Sequence, residues 1–400
     1  MSDSTLTLTH SVRHERLALG LAGFFAAASI RAADTLLPAL SRDFGISAGM
    51  TGVAVTSFML AYAAFQLIYG PLAERHGKLR VIAFALLACA AANLSQSLAP
   101  SFPWLVVLRA MAGAAAAGVV PICLARLGDT EPLASRQGLL ARYSVATICG
   151  LMTGQWLSGL IADTLGWRAV FVLLAAGFAG VAAVVARFVR HDESPARWRL
   201  ASPDLRPNAA ALLRSAWVRR VLGMTLLLGF LCPSVFAFVA TYLKLHFALS
   251  LAAAGAITAM HGIGGLLYAG LAPALIRRLG RRRLAWLSAA LLGAGMTSIA
   301  LGHHWLWIAA GCLAGGCGYY VVLNAMQTTA TQMAPMQRAN AVALFAFCLF
   351  AGQGLGVLLA ARLVDTIGIP ALFAICAVLV ALLVLWVSRQ LLQRLEAAPP

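Results

Sequence analysis

The chain has 400 residues, of which 61% are hydrophobic and 11% charged, with 30 Lys and Arg against 13 Asp and Glu. A mean hydropathy of +0.86 excludes an ordinary soluble domain and points to a chain dissolved in lipid, where each crossing helix needs roughly 20 mainly apolar residues. The net charge of +17 argues for membrane topology rather than nucleic-acid binding, because no basic face with interleaved aromatics gathers it.

The first 16 residues are polar and end in RHER. They could open a signal peptide, but the apolar run after them is too long for a signal core and reads as a retained first helix. Hydropathy and breakers then give about twelve spans. The first six cover 17–40, 50–69, 79–98, 103–124, 139–161 and 168–189; the second six cover 218–242, 251–274, 283–302, 305–328, 339–361 and 370–389. The expected fold is an all-α membrane protein, two pseudo-symmetric six-helix bundles (1–189 and 218–400) around a central cavity. A charged, proline-bearing cytoplasmic linker, 190–217, joins them.

Basic residues occupy alternate connections: HGKLR at 76–80, the arginine-rich 187–220, RRLGRRR at 277–283, and Arg389 with Arg394. The connections between are nearly bare, as in QSLAPSFP at 96–103 and LGHHW at 301–305. This asymmetry places both termini in the cytoplasm. The eight cysteines stand apart in apolar segments without CxxC or metal-ligand spacing, so they read as free thiols, and no metal or cofactor is expected.

In the first span, SIRAADTLLPAL at 29–40 carries Arg31 and Asp34. An ion at the bilayer centre costs about 2.5 to 3.5 kcal/mol on insertion scales, so both need a partner or a watery cavity. The next connection, FQLIYGPLAERHGKLRV at 65–81, combines turn-permitting Gly70 and Gly77, a capping or pairing Glu74, and the basic Arg75, Lys78 and Arg80. A weaker copy follows the eighth span, PALIRRLGRRR from Pro273; aligning Gly77 on Gly280 sets an offset of 203 residues. The fourth span, 104–126, holds Arg109 near its outer end and the small face Gly113, Ala117 and Pro121. The fifth contains CGLMTGQWLSGL, with Gly150, Gly154, Gln155 and Gly159.

The loop from Gly70 resembles the cytoplasmic signature of the major facilitator superfamily, G-x-L-x-D-R-x-G-R, and its wording is similar to the drug/proton antiporter branch that exports bicyclomycin and chloramphenicol. Glu74 replaces the usual Asp, Lys78 replaces Arg, and the second copy has Arg277 where an acid is expected. The resemblance implies that this loop latches a cytoplasmic gate, its acid paired with a base at the inner end of the fourth span, here Arg126. It implies proton coupling through Arg109, although Ala112 stands where the R-x-x-q-G element has Gln. Pro38 after DTLL matches the branch's D-x-x-x-P. The fifth-span glycines fit the antiporter element G-x-x-x-G-P-x-x-G-G, except that Gln155 and Ser158 replace Pro and Gly; they are expected to pack against the other bundle.

Asp34 lies about six residues from the outer end of its predicted span and Arg109 about five, which sets both roughly 8 to 9 Å deep. Both spans line the cavity in this family, so an Asp34–Arg109 pair is expected, with Arg31 one turn deeper on the same face. The offset maps Arg31, Asp34 and Arg109 onto Ser234, Ala237 and Cys312, confining the charges to the first half. The second half offers Phe236 and Tyr242 in the seventh span, His261 in the eighth, and Tyr320 and Asn324 in the tenth as candidate cavity residues.

No GxxxxGK[ST] loop, H-E-x-x-H or triad-like set is present, which excludes an ATP-driven pump within this chain and leaves a membrane enzyme without support. The expectation is a monomeric secondary transporter of a bacterial inner membrane that exchanges protons for small, moderately lipophilic molecules. A metabolite or organic-anion permease using Arg31 and Arg109 directly is the alternative.

Overall fold

Lipid offers no hydrogen bonds to a bare backbone, so an apolar chain must satisfy its amides internally, and helices do that within a single segment. The computed structural model describes residues 3–189, 209–334 and 337–396, all helical apart from connections, with no strand among the described residues. Among the described residues, twelve helices are long and apolar enough to cross a membrane. They are α1 (Arg13–Phe44), α2 (Ala48–His76), α3 (Lys78–Ser97), α4 (Phe102–Thr130), α5 (Ser135–Thr164) and α6 (Trp167–Val189), then α7 (Ala216–Phe247), α8 (Leu251–Gly280), α9 (Arg282–Leu301), α10 (Trp305–Gln332), α11 (Asn340–Ile367) and α12 (Ile369–Gln390). Most of the expected linker, 190–208, lies outside the described residues; a short helix, Ala209–Arg214, precedes α7.

The two halves are punctuated alike. Gly77 between α2 and α3 and Gly280 between α8 and α9 both have positive φ, +89° and +66°, so the glycines aligned from sequence perform one backbone task twice. Gly45 and Ala248, at φ +63° and +53°, precede α2 and α8 in the same way, and Ala248 is the only non-glycine at positive φ among the described residues. The helix starts that follow share a cap: Ser47 Oγ accepts from the Met50 amide and Ser250 Oγ from the Ala253 amide.

Packing repeats as well. A methyl group at Gly150 or Gly154 would strike the backbone carbonyls of Phe24 and Ala28, so α5 lies directly on α1; Gly352 and Gly356 of α11 meet Leu226 and Phe230 of α7 in the same manner. The expectation that the α5 glycines face the other bundle is corrected for Gly150 and Gly154, which close the first bundle. Gly159 does face across, onto the backbone of Leu251 in α8.

The start of α1, the end of α6, the start of α7 and the end of α12 share one face of the molecule, because each half crosses an even number of times. This is here the terminal face, and the opposite one the far face. The bundles meet along α2 with α11 and α5 with α8. The contacts run from Gly49 against Ala361 at the far face to Tyr62 against Phe350 (ring centroids 4.5 Å apart) and Gly262 against Met152 at mid-depth. Nearer the terminal face Phe65 and Ile68 on α2, Val145 on α5 and Leu267 on α8 are exposed, as are the polar Asn324 and Gln327 on α10. These contacts shut the far half and do not extend into the terminal half.

Candidate functional site

Asp34 is wholly buried, and the structure assigns it a different partner from the one expected. Arg31 Nη1 donates to Asp34 Oδ2 over 3.0 Å, from one turn back on α1. Oδ1 has no hydrogen-bond partner among the described residues. The Arg31 side chain keeps 13% of its surface while Asp34 keeps none, so the guanidinium lies over the carboxylate. Helix α1 reaches Phe44 rather than residue 40, which sets Asp34 about 15 Å from the far end of the helix.

Arg109 is also fully buried but does not take the carboxylate directly. Its Nε donates to the Ala54 carbonyl at 3.3 Å and its Nη1 to the Ser29 carbonyl at 3.5 Å, while Nη2 has no partner among the described residues. The guanidinium sits 4.2 Å above the Phe58 ring, which stabilises a cation most where water is excluded. Gly113 brings α4 against the Phe58 backbone and so seats the arginine. Arg109 remains within electrostatic reach of Asp34. The first bundle therefore holds two buried cations around one carboxylate, with Arg31 as the ion-pair partner and Arg109 as a fixed neighbour. Phe58 stacks on Tyr62, and Tyr62 leans on Phe350, so the arginine is linked through rings to the second bundle.

Across the interface the second bundle presents rings. His261 on α8 packs against Phe236 on α7 (centroids 4.0 Å apart) and against Tyr319 and Tyr320 on α10 (5.4 and 5.8 Å). Its Nδ1 has no partner among the described residues. Arg31 lies one turn from Thr35 on α1, and Thr35 packs against Gly255 on α8, where a methyl group would lie 3.2 Å from its Cγ2, which places Arg31 at the junction of the bundles. Two other candidates lie elsewhere. Tyr242 stacks on His246 and lines a cavity of about 410 Å³ at the far face with Asp365 and Pro370. Asn324 is exposed one turn beyond Tyr320 toward the terminal face.

Of the residues expected at the gate, Lys78 and Arg126 are held in ion pairs within the first bundle. Lys78 pairs with Asp129, Arg16 with Glu131, and Arg126 Nε donates to Glu15 Oε1 at 2.8 Å. The expectation that Glu74 serves Arg126 is thus replaced: Glu15, which precedes the apolar part of α1, takes that place, and Glu74 stands exposed beside Gly70 and Arg75. An acid just ahead of the predicted first span was reachable from sequence, but the 115 and 111 residues separating the Arg16–Glu131 and Arg126–Glu15 pairs hid their proximity.

Sequence reasoning also missed a far-face clamp. Asp365 at the end of α11 accepts from the Gly49 amide (2.9 Å) and the Ser47 hydroxyl (2.6 Å) at the start of α2. Asp163 at the end of α5 accepts from the Ala252 amide (2.8 Å) at the start of α8. Each bundle thus lends one carboxylate to a helix N-terminus of the other, where unpaired amides and the helix dipole attract an anion. The signal was there to read: DTLG at 163–166 recurs as DTIG at 365–368, one residue off the offset set by the glycine loops. At exposed positions each contact is worth about 0.5 to 1 kcal/mol. Replacing Asp163 and Asp365 together by alanine is expected to shift the equilibrium roughly tenfold toward an open far face. The measurement is the rate at which an impermeant maleimide labels a Thr51→Cys variant, buried beneath the clamp, in an otherwise cysteine-free background. A rate equal to that of the intact clamp would contradict its role.

Comparison with known proteins follows the same lines. The family model of the Major Facilitator Superfamily matches residues 19–270 and 233–398. The multi-drug resistance efflux pump PmrA of Streptococcus pneumoniae is 27% identical over 184 residues, 45% of this chain and 46% of that protein. The lincomycin resistance protein of Streptomyces lincolnensis is 28% identical over 171 residues, 43% of this chain and 35% of that one. The matched region thus spans less than half the length of these curated relatives. Among solved structures, a mutant form of nucleoside transporter NupG superposes with a TM-score of 0.77 at 14% identity, covering 93% of this chain and 98% of that one. A bacterial homolog of the human lysosomal transporter Spinster, inward-facing and unoccupied, gives 0.70 at 17%, covering 95% and 98%. At such identities the structural likeness speaks for the fold alone. With the family model spanning nearly the whole chain and the same two-bundle architecture present, this protein belongs to the major facilitator superfamily, whose members are transporters and not enzymes.

Proposed function

We propose that the protein is a proton-coupled exporter of small, moderately lipophilic molecules, working as a monomer in a bacterial inner membrane with both termini in the cytoplasm. The observation that carries this reading is the buried Asp34, one oxygen held by Arg31 and the other without a partner among the described residues, at the junction of two bundles whose contacts shut the far half. Ionised Asp34 holds Arg31; a proton on Asp34 removes the charge that holds it and frees the guanidinium. Proton binding and the arrangement of the interface are thereby linked, and linkage of that kind lets a proton gradient drive a conformational cycle. The basic connections support a cytoplasmic terminal face, so the side those contacts leave free faces the cytoplasm, where an exporter collects its load. The efflux pump and the resistance protein among the relatives support the direction. The test is overexpression in an efflux-deficient bacterium against a panel of compounds: raised resistance to at least one lipophilic compound, with proton movement in everted vesicles when that compound is added, is the expected result. Uniformly unchanged resistance would turn the reading toward metabolites.

One observation favours a second reading, a metabolite or organic-anion permease. Arg31 is the ion that reaches the interface, while Asp34 lies beneath it, so an anionic substrate would meet a cation first. The readings separate on Arg31→Ala. Direct anion binding requires loss of ligand affinity at every pH, whereas a coupling role changes affinity only where Asp34 titrates.

A further inference from the structure

Arg31 sits on α1 one turn from Thr35, which packs against Gly255 of α8, the helix that carries His261 and its ring cluster. His261 and Tyr320 are half-buried at the interface, whereas Phe236 and Tyr319 behind them are 2% and 6% exposed. The two outer rings are therefore held in place by the two inner ones, and glycines fix the seating. A methyl group at Gly265 would lie 2.6 Å from the Tyr320 ring, and one at Gly316 would strike the His261 backbone. Rings locked in this way present flat π faces with little freedom to lose on binding. Opposite them, Arg31 has spent one N–H on Asp34, out of the five that a guanidinium offers. His261 Nδ1 is buried and without a partner among the described residues, so this aromatic wall holds an unmet polar atom just behind its surface. The charge balance is positive: Arg31 and Arg109 face one carboxylate, and that carboxylate is covered.

From this geometry we infer that the bundle interface binds planar aromatic compounds carrying a hydrogen-bond acceptor, neutral or anionic, with the ring on His261 and Tyr320 and the acceptor on Arg31. The inference rests on reading this interface as the transport site, and it names the class of substrate. A flat ring gains stacking that a puckered ring of equal size does not. An acceptor gains charge-assisted hydrogen bonds from Arg31. A cation meets the Arg31 guanidinium, with Asp34 covered beneath it, so it is repelled.

The experiment is equilibrium titration calorimetry on the full chain in detergent, at neutral pH and without any gradient, with four probes: 2-naphthoate, 2-naphthamide, the saturated decahydro-2-naphthoate and 2-(aminomethyl)naphthalene. The expected order has naphthoate and naphthamide binding at least tenfold more tightly than the saturated acid, with no detectable binding of the amine. Tyr320→Leu should weaken naphthoate about tenfold and leave the saturated acid unchanged, while Tyr320→Phe, which keeps the ring, should restore naphthoate. Equal affinity for flat and saturated acids, preference for the amine, or no binding by any probe overturns the inference. Because binding is read without flux, the two ideas fail separately. Tight naphthoate binding with no proton movement rejects proton coupling alone, and proton-driven export of other compounds with no naphthoate binding rejects the substrate class alone.

Discussion

Replacing Arg109 by alanine is expected to destabilise the fold by about 3 to 5 kcal/mol and to abolish transport, because it empties a fully buried site and strips two buried carbonyls of their donor. Nothing of the Arg109 side chain is exposed, and it is the largest fully buried side chain among the described residues. Its carbonyl partners, Ala54 on α2 and Ser29 on α1, tie three helices to one guanidinium. Its removal takes away those bonds, the contact with Phe58, and part of the field that keeps Asp34 tolerable so far from water. Lysine is not a conservative replacement. An ammonium keeps the charge but lacks the planar fork that reaches two carbonyls and stacks on a ring, so Arg109→Lys should fall between wild type and alanine. Thermal unfolding in a fixed detergent checks the order. The double variant Arg109→Ala with Asp34→Asn should be less destabilised than the two single changes summed, since the attraction between Arg109 and Asp34 is lost only once in it. An unchanged melting temperature for Arg109→Ala would contradict the cluster as described.

Much of the fold was legible in the chain because lipid makes the rules few: runs of apolar residues become helices that satisfy their own backbone. The repeat was legible too, at Gly77 and Gly280, because a positive φ restricts which residue can stand there. Boundaries were less so. The predicted first span stopped at residue 40, yet α1 continues to Phe44 through Ser41, Arg42 and Asp43, since a helix needs no apolar side chains where it leaves the lipid. The partner of Asp34 was misread for a related reason: depth says which groups are level, but rotamers and the approach of α2 decide which are bonded, and the Arg31 fork was one turn away on the same helix. Pairs that depend on packing between distant segments, such as Arg126 with Glu15 or Asp365 with Gly49, carry no local signal. The far-face carboxylates left a trace only as a repeated DT-x-G, visible once the two halves are laid side by side.

Asp34→Asn is expected to uncouple the protein outright. Asparagine keeps the size of the side chain and can still accept from Arg31, but it cannot carry a proton on and off, so the link between the gradient and the state of Arg31 is gone. The loss should exceed about a hundredfold in gradient-driven flux, a coupling of roughly 2.7 kcal/mol, while gradient-independent exchange of the same compound persists because the bundles and their clamps are intact. The most direct test reconstitutes wild type and Asp34→Asn in liposomes, imposes a pH gradient, and follows uphill movement of a compound the wild type exports. Uphill movement by wild type together with downhill exchange alone by Asp34→Asn is the predicted result; equal uphill movement by both would contradict the assignment of Asp34 as the proton-binding group.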